Sequence, residues 1–420
     1  MTEKLLQFIW QFQYFNTTEL QTEDGEHLQI IKPGLFNHNQ GPDFIEAAVK
    51  INQLTFVGNV ELHVNTSDWD KHQHASDKNY SNIILHVVWN NDKKENNSIP
   101  VLVLQNRIAK VLLQRYEQLM NNVSFIACEN YISSINTIVF ESWKERLMIE
   151  RLEQKSKKIF QLLFESNNHW EEVLWQMLAY NFGIKINAEL FEEVAKTISV
   201  NILAKHKNQI HQLEALLLGQ ANLLNHDFEE DYPNLLKREY NFLRKKCSLK
   251  PVQIQPHFLR MRPANFPTIR LAQLAMLVHK SSHLFSVIKE LSDVKQIKQL
   301  FNITCNDYWH YHYTFIEATD YKPKNLGNQM TENIIINTII PVLFAYGLYI
   351  KEQSYKDKAL AWLTELSAEK NKIIAQWQSL NITISNAFDS QSLIHLTNNY
   401  CKQKKCLQCA VGSKVLSNKF

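Results

Sequence analysis

The sequence predicts an α+β protein: a mixed-sheet α/β domain over residues 1–125, then a large all-helical domain over residues 126–420 that carries a cysteine motif at its C-terminal end. Three observations predict it. Before residue 125, short runs of β character dominate: EHLQIIKPG, FIEAAVKIN, LTFVGNVELHV, NIILHVVWN and IPVLVLQ. After it, apolar residues return at helical spacing. The chain also holds only nine glycines and ten prolines in 420 residues, few breakers for so long a sequence.

The elements follow in order. A helix from Glu3 to Phe15 precedes the strands and one from Arg107 to Met120 follows them. INQL reads as the turn between the second and third strand runs, and Lys93, Lys94 and Glu95 as a polar turn between the last two. Helical spacing then covers Trp143 to Phe164, Trp170 to Phe182, Ala188 to Thr197, His211 to Leu224, Leu235 to Lys245 and Ile269 to Val278. It resumes over Glu332 to Leu348, Lys356 to Glu365, Glu369 to Trp377 and Ser390 to Tyr400. LEALLLGQANLL and NTIIPVLFAYGLYI read as buried core helices, and no fixed-period repeat points to a solenoid.

A net charge of +3 excludes a polycation, so nucleic-acid affinity has to come from local patches. The start, MTEKLLQFIWQFQYF, lacks a basic segment followed by a small-residue cleavage site, and no stretch approaches the length of an uninterrupted apolar span. The expectation is a cytoplasmic protein without a membrane partner, with its six cysteines reduced.

Chemistry-bearing residues concentrate between Gly41 and Trp89: Asp43, Glu61, His63, Asp68, Asp70, His72, His74, Asp77, Tyr80 and His86. In TFVGNVELHV, Val60, Leu62 and Val64 alternate with Glu61 and His63, so the carboxylate and imidazole project from one face of a strand. A hairpin through INQL would bring Asp43, 18 positions earlier, beside Glu61. Two close acids repel unless a cation lies between them, and carboxylate oxygens suit Mg²⁺ or Mn²⁺. His63 is then a neighbouring proton carrier or extra ligand. His86, between apolar neighbours, reads as a core histidine, and Asp68 as a helix cap.

The order helix, three strands, irregular segment, strand, strand, helix, with Pro42-Asp43 and Glu61-Leu62-His63, resembles the PD-(D/E)XK nuclease superfamily. The resemblance implies Asp43 and Glu61 as metal ligands, the Leu62 carbonyl as a further one, and cleavage of phosphodiesters. His63 stands where that superfamily has lysine, which is the main departure. His72 and His74 in SDWDKHQHASDKNY resemble residues of small nucleases that assist the attacking water or the leaving group. Taken together, GPDF, GNVELH, SDWDKHQH, LEALLLGQANLL, RMRPANFPTIRLAQLA and YCKQKKCLQCAVG resemble an uncharacterised bacterial family catalogued only as a domain of unknown function.

At the C-terminal end Cys401, Cys406 and Cys409 carry the spacing of a soft-metal site, for Zn²⁺ or an iron–sulfur cluster. A fourth donor is needed, and Cys128, Cys247, Cys305 or His395 could supply it. Some PD-(D/E)XK relatives carry an iron–sulfur cluster on three clustered cysteines and a distant one, which this pattern resembles. Two basic stretches, with Lys245 and Lys246 in one and Arg260, Arg262 and Arg270 in the other, are candidates for nucleic-acid contact.

The expected function is a metal-dependent nuclease with Asp43 and Glu61 holding the ion, His63 replacing lysine, and His72 or His74 assisting. The alternatives are a catalytically degenerate nuclease fold that binds nucleic acid or docks a protein partner through its helices, or a zinc hydrolase on His63, His72 and His74.

Overall fold

The structure is a computed structural model that describes all residues except 38, 73–76, 94–98, 282 and 418–420. The chain divides into two compact units. The first is Met1–Trp143 with Ser379–Ile382 and His395–Phe420; the second is Lys144–Gln378 with Thr383–Ile394. The C-terminal cysteine motif therefore belongs to the unit that holds the sheet.

Helix α1 (Glu3–Gln11) starts where Thr2 Oγ1 accepts the Leu5 N–H at 3.3 Å, and it buries Leu5, Leu6, Phe8, Ile9 and Trp10. It stops short of Phe15. Gln13 turns left-handed, with φ of 53°, and the N–H groups of Gln13 and Tyr14 fold back onto the carbonyls of Trp10 and Ile9. That is a Schellman ending built without glycine, which is why the sequence does not announce it.

Among the described residues seven strands form one mixed sheet: β1 (Leu20–Gln21), β2 (His27–Lys32), β3 (Leu35–Phe36), β4 (Phe44–Ile51), β5 (Leu54–Asn65), β6 (Ile83–Asn90) and β7 (Val101–Val103). The order is β1-β2-β4-β5-β6-β7, with β3 also on β4. Pairs up to β4–β5 are antiparallel, while β5–β6 and β6–β7 are parallel. Short α2 (Asp68–Lys71) lies between β5 and β6, and α3 (Lys110–Asn121) follows the sheet. An N-terminal mixed sheet followed by a mostly helical region is the α+β class the sequence predicts.

The β4–β5 hairpin closes through Asn52, which adopts φ of 52°, and runs in register from Ile51 opposite Leu54 to Ala47 opposite Gly58. Glu46 then takes φ of 55° and the register slips, so that Phe44 faces Val60. This bulge aligns Asp43 with Glu61; unbroken pairing would set it opposite Leu62, whose side chain points to the other face.

The second unit is helical. Trp170–Phe182 and Ala188–Thr197 coincide with the predicted helices. The segment Asn328–Tyr349 is long and apolar enough to cross a membrane, but most of it is buried within its own unit. Its helix passes through a π turn, Ile335–Ile339, just before Pro341. Pro341 lacks the N–H that the Asn337 carbonyl would receive, and Lys155 Nζ reaches that carbonyl at 3.5 Å instead.

Glu214 lies fully buried in this unit, its Oε2 accepting the Trp309 indole N–H at 3.0 Å and the Tyr232 hydroxyl at 2.8 Å. Burial raises its pKa from 4.5 to about 7 despite those bonds. The folded value exceeds the unfolded one, so this contribution is complete in acid and is lost as pH rises through about 7. Once pH exceeds about 7 Glu214 is expected to cost the protein roughly 3 kcal/mol, and Glu214→Gln to remove that part of the slope. Urea unfolding of both proteins across this range checks it; parallel stability curves would mean that Glu214 stays ionised in the fold.

Candidate metal and acid–base site

Asp43 and Glu61 interlock across the β4–β5 pair. The Asp43 N–H donates to Glu61 Oε2 at 3.0 Å, and the Leu62 N–H donates to Asp43 Oδ2 at 3.2 Å. Gln7 of α1 donates to Asp43 Oδ1 at 2.7 Å. The neighbouring carboxylates that the sequence predicts are therefore present, and two N–H groups of the chain hold them in place.

Histidines line the other side of Glu61. In the parallel β5–β6 register Glu61 pairs with His86, and β5 carries His63 two residues on. His63 Nδ1 lies 2.9 Å from His86 Nε2, and His63 Nε2 lies 3.1 Å from His72 Nδ1. A neutral imidazole donates through one nitrogen and accepts through the other, so His86, His63 and His72 form a directional chain. His63 Nε2 is also 3.7 Å from Glu61 Oε1. His63 and His86 are buried, whereas His72, at the end of α2, is exposed. Trp69 holds α2 in position: it is buried and packs edge-on to His63, with its centroid 5.1 Å from that of His86.

Burial raises the pKa of both acids. For Asp43 burial outweighs the bonds from Gln7 and Leu62; for Glu61 burial acts first and the charge of Asp43 adds to it. The Glu3 carboxylate raises both further. Tyr80 is pushed up to about 12, by burial first and then by Glu61 and Asp43, so its hydroxyl remains a donor at neutral pH. A group of three neighbouring acids with this electrostatic strain is a place where a cation gains free energy. One ligating atom each from Glu3, His63 and His72 also lie within 4.8 Å of one another.

Residues 3–372 match the model of a family described as a protein of unknown function, DUF2851. The chain belongs to that family. The match contains the carboxylates and histidines, while Cys401, Cys406 and Cys409 lie beyond it. Comparisons of the DUF2851 chain with curated proteins and with solved structures returned no match.

Other sequence candidates fall as follows. His74 lies outside the described residues. Asp68 does not cap α2: Ser67 holds that position, and the Asp68 carboxylate takes the Asn65 N–H and Lys71. Asp70 pairs with Lys93 at 2.6 Å. Lys245, Lys246, Arg260 and Arg262 are exposed. Arg270 is a correction: it is buried, and its two terminal nitrogens donate to Gln273 and Asn265, so it does not stand on the surface with the other four. Cys401, Cys406 and Cys409 come together with Cys128 in a recess.

The sequence does not single out Glu3 or Gln7, and it marks His86 as a core histidine. Glu3 and Gln7 stand four apart on α1, one turn of helix, and that spacing on one face was the available signal. His86 has none, because only its register against Glu61 distinguishes it from a core histidine.

Proposed function

We propose that this DUF2851 protein is a metal-dependent hydrolase of phosphodiester bonds in nucleic acid. The observation that carries this reading is the pair of half-buried Asp43 and buried Glu61, fixed by backbone N–H groups, pushed toward protonation, and adjoining a histidine chain that ends at the surface. The likeness of Pro42-Asp43 and Glu61-Leu62-His63 to the PD-(D/E)XK pattern supports the same reading.

The donor set fits a hard divalent ion, Mg²⁺ or Mn²⁺, held by Asp43 and Glu61 with Glu3 near. When bound, such an ion polarises a phosphoryl oxygen and acidifies a water. The chain's own residues supply orientation and proton transfer. Gln7 and the Leu62 N–H aim the Asp43 carboxylate, and the Asp43 N–H aims Glu61. His63 takes a proton beside Glu61 and passes it to exposed His72, which a lysine ammonium in its place could not do at neutral pH.

A second reading rests on the proximity of Glu3, His63 and His72, whose mixed nitrogen and oxygen donors suit Zn²⁺. A cleavage assay on single- and double-stranded DNA and RNA separates the two. Cleavage in Mg²⁺ or Mn²⁺ that is lost in Asp43→Asn is the expected result. Cleavage only with Zn²⁺, lost in His72→Ala, favours the zinc site. Intact substrate with every metal, together with salt-dependent binding, would replace both with a nucleic-acid-binding module.

A further inference from the structure

Four of the six cysteines meet within the first unit. Cys128 precedes the turn Glu129–Ser134, Cys401 ends the π turn Thr397–Cys401, Cys406 opens the turn Cys406–Gln408, and Cys409 follows it. They share one recess, which Tyr400, Lys405 and Gly412 also line, and all four are free thiols. Cys247 and Cys305 belong to the other unit, and the His395 ring is engaged by Asn399 at 3.1 Å. Of the four residues the sequence offers as a fourth donor, the structure selects Cys128.

What surrounds the sulfurs distinguishes this recess from a patch of small apolar side chains. Cys409 is buried, and the backbone N–H groups of Val411 and Gly412, in the first turn of the helix Ala410–Ser417, approach its sulfur. A neutral thiol is a weak acceptor that gains little from such donors; a thiolate gains a great deal. Burial raises the pKa of all four thiols, and the charge of Cys409 raises Cys128, Cys401 and Cys406 further. What points to a cation is the convergence of four thiols on one recess from three separate turns of the chain, a donor set for a soft metal. Gly412 serves the same geometry. A Cβ there would lie 2.2 Å from the Cys406 carbonyl oxygen, so glycine lets the helix Ala410–Ser417 begin directly under the Cys406 turn.

We propose that Cys128, Cys401, Cys406 and Cys409 hold a soft metal centre, a zinc ion or an iron–sulfur cluster, through four thiolates. Four thiolates complete either a tetrahedral zinc site or the anchoring of an iron–sulfur cluster. The centre also has a place in the unit's architecture, because the Cys406–Gln408 turn packs on α1, the helix whose Gln7 holds Asp43.

The test uses the full chain purified without oxygen, with iron, acid-labile sulfide and zinc measured beside the visible absorption. One zinc ion per chain, or iron and sulfide in equal amounts, is expected, with a loss of that metal of at least about tenfold in each of Cys128→Ser, Cys401→Ser, Cys406→Ser and Cys409→Ser, and none in Cys247→Ser. Sulfide with visible absorption identifies a cluster, and zinc without either identifies the single ion. No metal after anaerobic reconstitution with zinc, or with ferrous iron and sulfide, overturns the proposal. X-ray absorption on the unmutated protein covers the case of a variant that does not fold: protein-derived nitrogen or oxygen in the first shell refutes the assignment to four cysteines.

Discussion

In Glu61→Gln, metal-dependent cleavage is expected to fall by roughly 10²–10³-fold while the metal-free protein becomes more stable at neutral pH. The two effects have one cause. Burial and the charge of Asp43 raise the folded pKa of Glu61, and burial raises that of Asp43. For an acid whose folded pKa exceeds its unfolded one, the folded state keeps a proton that the unfolded state has lost. Stability therefore declines as pH rises from the unfolded value through the folded one. Glutamine cannot ionise, yet its carbonyl can still accept the Asp43 N–H, so the substitution removes the cost and keeps the bond. Mg²⁺ or Mn²⁺ should stabilise the unmutated protein with release of protons and leave Glu61→Gln nearly unaffected. Urea unfolding in mild acid and mild base, with and without metal, reads all of this. A metal-free Glu61→Gln protein less stable than its parent in mild base would mean that the carboxylate serves the hairpin and not a cation.

Much of this site was visible in the sequence because its determinants are local. Glu61 and His63 share a face by the period of a strand, and INQL announces a turn that brings Asp43 back along β5. What the sequence did not show depends on partners distant in the chain. The slip at Glu46 that aligns Asp43 with Glu61 is a property of two strands together. Strands β1 and β3 are two residues long, too short to show any period. His86 becomes a site residue only through the parallel register, and Gln7 only through the packing of α1 on β5. The return of His395–Phe420 to the sheet's unit has no signature in composition, which left the choice among four possible donors for the cysteines to the tertiary structure.

Helix starts show the same limit on a smaller scale, and one of them leads to the largest stability effect expected here. The helical pattern suggested a start at Ser390, but the helix is Ala387–Leu396. The Asn386 side chain accepts the Asp389 N–H at 3.0 Å, and Asp389 Oδ2 accepts the Ser385 N–H at 2.9 Å, a reciprocal pair of the kind that begins helices. Asp389 Oδ1 also receives Lys144 Nζ at 2.6 Å, with the two side chains 13% and 3% exposed. Lys144→Met leaves that carboxylate buried without its cation and is expected to cost about 3–5 kcal/mol. The double variant Lys144→Met/Asp389→Leu removes both charges and should recover most of it, ending within about 1–2 kcal/mol of the parent, with the lost helix cap accounting for the remainder. A double-mutant cycle on urea-unfolding free energies measures the difference. Equal losses in the single and double variants would place the cost in packing around the Lys144 stem. Recovery in the double variant would place it in the stranded carboxylate, making the ion pair a device that specifies how this helix begins more than one that adds net stability.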